Sequence, residues 1–482
     1  MGMDRGKEEF KRLAETSSAK SIPRLAPGKT RAERYAMGEA LRKKCSRSSH
    51  AEWTPSAKRP DPVQLIAEGD KGRIPQLVPL RHGRMLESPF TFYRGAALNM
   101  AADLATTPTT GVYVQACGDA HLVNFRGFAT PERQINFDIH DLDETLPAPW
   151  EWDLKRLATS FVLACRENGL DQTSADDAVL ACARSYREHM ADFSEMRALD
   201  VWYTRLDPEI LFSLIKDPKE RKNVQKRVEK RIAKETERTA LEHDFPKLAQ
   251  ATGEQITLLD NPPTIYHMGK DDQGEFEVAV REGFARYRDT LADDRRVLLD
   301  RFELKDIAIK VVGVGSVGTY CAVMLLMAAE NDPLFLQLKE ARASVLEAYA
   351  GKSAYSNHGQ RIVIGHRLMQ SASDIFLGWT SGRHGRQFYV RQLRDAKMKP
   401  MVEDFSAGDF IVFAEWCGFS LARSHARSGD ASVIAGYLGE ADTFDKAIAG
   451  FSKAYAEQTE RDHAALKKAA RKGKLEVLIE RS

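Results

Sequence analysis

Asp119 stands five residues before Asn124 in the stretch ACGDAHLVNF, and Asp138, Asp141, Asp143 and Glu144 follow soon after. A carboxylate and a carboxamide at that offset emerge on opposite sides of one turn, as in a kinase catalytic loop. The chemistry they suit is phosphoryl transfer. One carboxylate orients the attacking group, while the carboxamide and a second carboxylate hold the magnesium carried by nucleotide phosphates. Asp and Asn also favour turns and helix caps, and that reading serves Asp138, Asp143 and Glu144 individually at least as well.

The neighbouring sequence supplies elements to position these groups. Residues 112–116 form a short apolar strand that delivers the GDAH loop. FRGFA and RQINFDI read as two strands around Thr130-Pro131-Glu132, so that Asp141 ends a hairpin beside Asn124. Pro89 to Arg94 leads into a helical run, GAALNMAADLA. Beyond Asp153, LKRLATSFVLACRENG and DDAVLACARSYREHMADF carry apolar residues at helical spacing.

GDAHLVN resembles the catalytic loop of aminoglycoside and choline phosphotransferases, and IHDLDETLPAPWEWDLKRLA resembles the metal-Asp segment and following helix of the same kinase-like group. From about Leu80 onward the chain resembles a bacterial family, domain of unknown function 2252. The resemblance implies Asp119 as base or nucleophile-orienter, Asn124 and Asp141 as metal ligands, and Asp153, twelve residues beyond Asp141, as a brace of the catalytic loop. Cys117 departs from the pattern, replacing the His that usually precedes Gly118-Asp119. His121 reads as a structural histidine.

A second block, DIAIKVVGVGSVGTYCAVMLLMAAENDPLFLQLKEA, holds Gly313-x-Gly315-x-x-Gly318. A dinucleotide-binding unit would use these glycines to open a helix over residues 319–329, with Asp332 near the place of its ribose-binding acid. A kinase-type unit would instead make a strand-turn-strand lid over phosphates, followed by a strand whose lysine, here Lys339, grips them. The set at 119–141 favours the second. The acid that pairs with such a lysine from the next helix is not evident, because Glu347 follows only eight residues on and QRIVIGHRLMQSAS offers Gln360 and His366. A hairpin of residues 376–379 and 387–392 follows, then a hinge and two amphipathic helices.

These pieces predict an α+β, kinase-like two-lobed fold in circularly permuted order. The divisions are a basic arm (1–80), a catalytic-loop segment (81–200), a helical insertion (201–300), a nucleotide lobe (301–396) and a helical C-terminal part (397–482). Chain ends that meet at a surface make permutation tolerable. The helix within GFSLARSHARSG would run into the catalytic loop.

Composition narrows the rest. A net charge of +2 gives no argument for nucleic acid or membrane as partner, and the alternating charges of residues 216–250 read as a solvated helix. Six scattered cysteines show no metal-ligand rhythm and suit reduced, buried thiols in the cytoplasm. The N-terminal segment is charged from its start, unlike a secretory signal, and Met-Gly lacks the Ser or Thr of a myristoylation site. Residues 311–329 carry no charge, but their glycines argue against a membrane span. The expected function is ATP- and Mg²⁺-dependent phosphotransfer to a small-molecule or protein acceptor. Alternatives are a catalytically silent ATP-binding module, transfer of an adenylyl or other group, and an NAD-type oxidoreductase.

Overall fold

Four short strands surround the first acidic block: β1 (Tyr113–Ala116), β2 (Phe125–Ala129), β3 (Ile135–Ile139) and β4 (Leu146–Pro149). In this computed structural model, which describes residues 28–236, 245–252, 255–311, 313–329, 332–393 and 398–480, β2 and β3 form the expected antiparallel hairpin with Phe125 opposite Ile139. Its turn closes where the Thr130 amide donates to the Gln134 carbonyl at 2.7 Å. β1 pairs with β4, Ala116 opposite Leu146, so the loop leaving β1 and the segment leaving β3 lie side by side. Residues 1–27 of the expected arm (1–80), and residues 394–397 just after the expected hairpin, fall outside the described residues.

Eight further strands follow: β5 (Ala249–Thr252), β6 (Gln255–Leu258), β7 (Ile265–Tyr266), β8 (Glu303–Lys310), β9 (Cys321–Met327), β10 (Pro333–Ala341), β11 (Gly378–Ser381) and β12 (Gln387–Gln392). β5 and β6 make a separate hairpin, and the others make a six-stranded antiparallel sheet in the order β11-β12-β10-β9-β8-β7. β9 lies inside it with both faces covered. Ala322, Met324 and Leu326 pack with Tyr287 and Leu299 on one side, and Val323, Leu325 and Met327 pack with Leu248 and Leu258 on the other. A strand buried on both faces reads as a continuous apolar run rather than an alternating one. That explains the charge-free stretch and corrects the dinucleotide alternative, since a strand stands where its helix was required.

The helices Trp150–Glu167, Gln172–Glu195, Ala407–Ser428 and Thr443–Arg471 share one core, built from residues between Phe90 and Val224 and again between Leu346 and Ala456. Trp150–Glu167 is buried from Trp150 to Cys165, and the Trp150 ring stacks on Tyr186 with centroids 5.6 Å apart. Pro89–Gly95 is itself a helix rather than a lead-in, because Ser88 and Thr91 form a capping box ahead of Pro89. The charged helix Pro218–Thr236 is not wholly solvated, since Val224 and Val228, four residues apart, pack on the main core. Among the described residues no helix is long and apolar enough to cross a membrane.

Candidate active site

Gly118 gives the GDAH loop its shape. Its φ of +81° lies in the left-handed region, and a Cβ there would meet the Glu144 carbonyl oxygen at 2.6 Å. The loop is held from behind by Asp153, whose two oxygens accept the amides of Cys117 (2.6 Å) and Gly118 (2.9 Å). His425 Nε2 lies 3.1 Å from the same carboxylate, and Tyr186 Oη lies 2.9 Å from His425 Nδ1. Because Nε2 must donate to the carboxylate, Nδ1 accepts from the tyrosine. Three helices thus converge on two loop amides.

In front of the brace, Asp119 presents two unequal oxygens. Arg156, one turn beyond Asp153 on the same helix, donates to Oδ1 from both Nε (2.7 Å) and Nη2 (2.5 Å). Oδ2 accepts no hydrogen bond among the described residues, and His121 Nε2 is 4.0 Å away. Burial pushes the Asp119 carboxyl up to about 6, although Arg156 works the other way. His121 is buried, and burial followed by Arg94 and Arg156 holds its imidazole neutral, far below its usual range.

Asn124 is fixed on two sides. Its Nδ2 donates to the Asp119 carbonyl at 2.7 Å, and its own carbonyl accepts the His140 amide at 2.8 Å. The amide orientation leaves Oδ1 available to a ligand. Asp141 then follows β3 into the same cleft. The Lys339 side chain on β10 is 3% exposed and that of Asp141 32%, with Nζ 3.5 Å from Asp141 Oδ1. Lys339 also contacts Asp143 Oδ2, while Tyr389 Oη donates to Asp143 Oδ1 at 2.7 Å. Burial opposes ionisation of Asp141, but Lys339, Arg391 and Arg126 together hold its carboxyl well below the usual range. Lys339, despite burial, is kept charged by Asp141 and Asp143. The missing acid partner of the lysine is therefore an aspartate pair from the loop after β3, not a residue of the helix His358–Met369. That helix instead donates Arg361 to the carbonyls of Asp143 and Thr145.

The turn between β8 and β9 closes one side of the cleft. Ser316 Oγ reaches Asp143 Oδ2 at 3.3 Å, and Arg73 donates to the carbonyls of Val317 (2.6 Å) and Gly315 (3.0 Å). Of the three glycines only Gly318, with φ +84°, needs its freedom, and its carbonyl accepts the Ile74 amide at 2.7 Å. Asp119, Asn124, Asp141, Lys339, Gly313 and Gly315 all line one cleft of about 500 Å³, with Gly318 behind it. Spacing alone assigned Asp143 to a turn or cap as readily as to the site, and it pointed to none of Arg391, Arg94, Arg126 or Lys399; Arg156 was signalled by its spacing of three from Asp153 on a helix.

Among the described residues no group of three or more His, Cys, Asp or Glu side chains is arranged to hold a metal. The oxygen donors present, Asn124 Oδ1 and the Asp141 carboxylate, match magnesium, which takes one or two protein oxygens and completes its shell with water and substrate phosphates.

The model of a family described as an uncharacterised protein conserved in bacteria (DUF2252) matches residues 73–469. The chain belongs to that family. The matched span opens at Arg73, the residue that holds the glycine turn, and includes every cleft residue named above. No curated protein and no solved structure matches the chain.

Proposed function

We propose that this protein is an ATP- and Mg²⁺-dependent phosphotransferase with a kinase-like, circularly permuted arrangement of two lobes. The observation that carries the proposal is the meeting of Lys339 with Asp141 across 198 residues of chain, beside Asp119 and Asn124. Support comes also from the order of elements around Lys339: a hairpin with a glycine turn, the lysine strand, then a packed helix.

In this reading Lys339 and the turn at Gly313–Gly318 grip the nucleotide phosphates, and Asn124 Oδ1 and Asp141 hold the metal. Magnesium, when bound, neutralises phosphate charge. Asp143, anchored by Tyr389, keeps Lys339 in place while Asp141 turns to the metal. Asp119 Oδ2, the oxygen without a donor, accepts the proton of the attacking hydroxyl.

A silent ATP-binding module is the second reading, favoured by one observation: the two-pronged grip of Arg156 on Asp119, which lowers its basicity. A thermal-shift screen of nucleotides with and without Mg²⁺, followed by an assay of ATP consumption, separates the two. A ligand at 100 times its dissociation constant stabilises by about 2.7 kcal/mol. Stabilisation by Mg-ATP with turnover supports the enzyme, stabilisation without turnover supports the module, and no response to any Mg-nucleotide rejects both.

A further inference from the structure

Past the catalytic loop the cleft continues into a second chamber of about 150 Å³, which shares Arg94, Val123 and Lys399 with the main cleft. None of the glycine turn, Lys339 or Asp141 lines this chamber. Val123, on the turn between Asp119 and Asn124, forms the wall common to both spaces.

Three cations gather at the junction. Arg94, from the helix Pro89–Gly95, makes no ion pair or hydrogen bond among the described residues and lies 5.9 Å above the Phe90 ring. Its Nε is buried without a partner, as is that of Arg126 on β2, whose single hydrogen bond is a long one of 3.4 Å to the Val123 carbonyl. The Lys399 ammonium has no partner among the described residues. The groups disfavour one another's charge. Burial and then Arg94 depress Lys399, and burial, Arg391 and Arg94 bring Arg126 to about 10 although Asp141 opposes them. Glu167 and Glu403 stand on the walls of the chamber, but neither forms an ion pair with Arg94 or Lys399. Buried guanidinium groups without partners are costly unless a ligand supplies the acceptors.

We propose that Arg94, Arg126 and Lys399 form an oxyanion subsite that holds the acid group of a small acceptor and so presents its hydroxyl to Asp119. This rests on the phosphotransferase reading and names its substrate class: a small hydroxylated molecule bearing a phosphate or carboxylate. Arginine suits the role because its planar fork matches both groups.

The probe is inorganic phosphate, titrated calorimetrically into the full chain with and without a saturating non-hydrolysable Mg-ATP analogue. Phosphate should bind in both cases. Arg94→Gln and, separately, the surface change Lys399→Met should each weaken it about tenfold or more while leaving analogue affinity unchanged. Acetate titrated in parallel separates a phosphate-bearing acceptor, for which phosphate alone binds, from a carboxylate-bearing one, for which both bind. Phosphate affinity indifferent to both substitutions in folded protein overturns the subsite. So does displacement of phosphate by the analogue, which would assign the cations to the nucleotide. If phosphate binding depends on Arg94 and Lys399 but no Mg-nucleotide binds, the phosphotransferase reading falls and the anion site survives it.

Discussion

Two aspartates, Asp138 behind the GDAH loop and Asp119 within it, each face an arginine from a helix, and they differ in what is left over. Asp138 is fully buried. Its Oδ1 takes Arg423 Nη2 at 2.5 Å and the Ile139 amide at 2.9 Å, and its Oδ2 takes the Ser371 amide at 2.9 Å. Asp119 commits one oxygen to Arg156 and leaves the other facing the cleft. The region around Asp138 and Asp153 supplies donors to every carboxylate oxygen. The cleft leaves one carboxylate oxygen, the Arg94 guanidinium and the Lys399 ammonium without a hydrogen-bond or ion-pair partner among the described residues, and such unmatched groups in a cleft are candidates for completion by a ligand.

Substitutions can break this comparison. The largest expected effect is at Asp119: Asp119→Asn should lower ATP turnover by about 10²–10⁴-fold with Mg-ATP binding retained, because a general base in that position contributes on that order. Equal turnover by parent and variant would move Asp119 into the structural class. Next comes Arg423→Met, which strands the Asp138 charge. Breaking a buried pair from one side costs roughly 3–5 kcal/mol. The lower end is expected in denaturant unfolding, since Arg423 Nε and Nη1 are themselves without partners. Nucleotide binding by whatever protein remains folded should be unchanged.

Asp153→Asn should cost about 1–3 kcal/mol, the penalty of leaving a buried donor unmet, and should reduce turnover only through disorder of the Cys117 and Gly118 amides. The smallest effect sharpens the comparison through pH. The Asp119 carboxyl is raised to about 6 in the folded protein, so its ionised, proton-accepting form is lost as pH falls through that value. Turnover should drop about tenfold per unit below pH 6. A profile flat to pH 5 in protein shown to remain folded would exclude Asp119 as the base.

Much of the local structure was legible because it is written locally. The β2–β3 hairpin lies in one alternating stretch around a Thr-Pro turn, and the strand character of Pro333–Ala341 lies in one apolar run. The GDAHLVN loop carried Asp119 and Asn124 together. The pairings that finish the site were not legible for the same reason. Lys339 finds Asp143, Asp138 finds Arg423 and Arg94 finds the chamber across long reaches of chain, where no spacing rule connects them. Asp143 was read as a turn residue because its side chain acquires a function only when β10 arrives beside it. The helix that the dinucleotide alternative required over residues 319–329 stayed open in the sequence because continuous apolar character does not distinguish a helix from a strand covered on both faces.

The brace of the GDAH loop also sets an order of events during synthesis. His425 is made 272 residues after Asp153, and Arg423 is made 285 residues after Asp138. At about 5–20 residues per second, roughly a quarter of a minute to a minute passes in which the loop has been made but its supports have not. Through that interval the carboxylates of Asp138 and Asp153 remain hydrated, and the loop they will hold has no reason to settle. The helix Ala407–Ser428 therefore completes a loop made long before it, and a nascent chain halted before residue 423 carries the GDAH motif without the contacts of Arg423 and His425 that hold it.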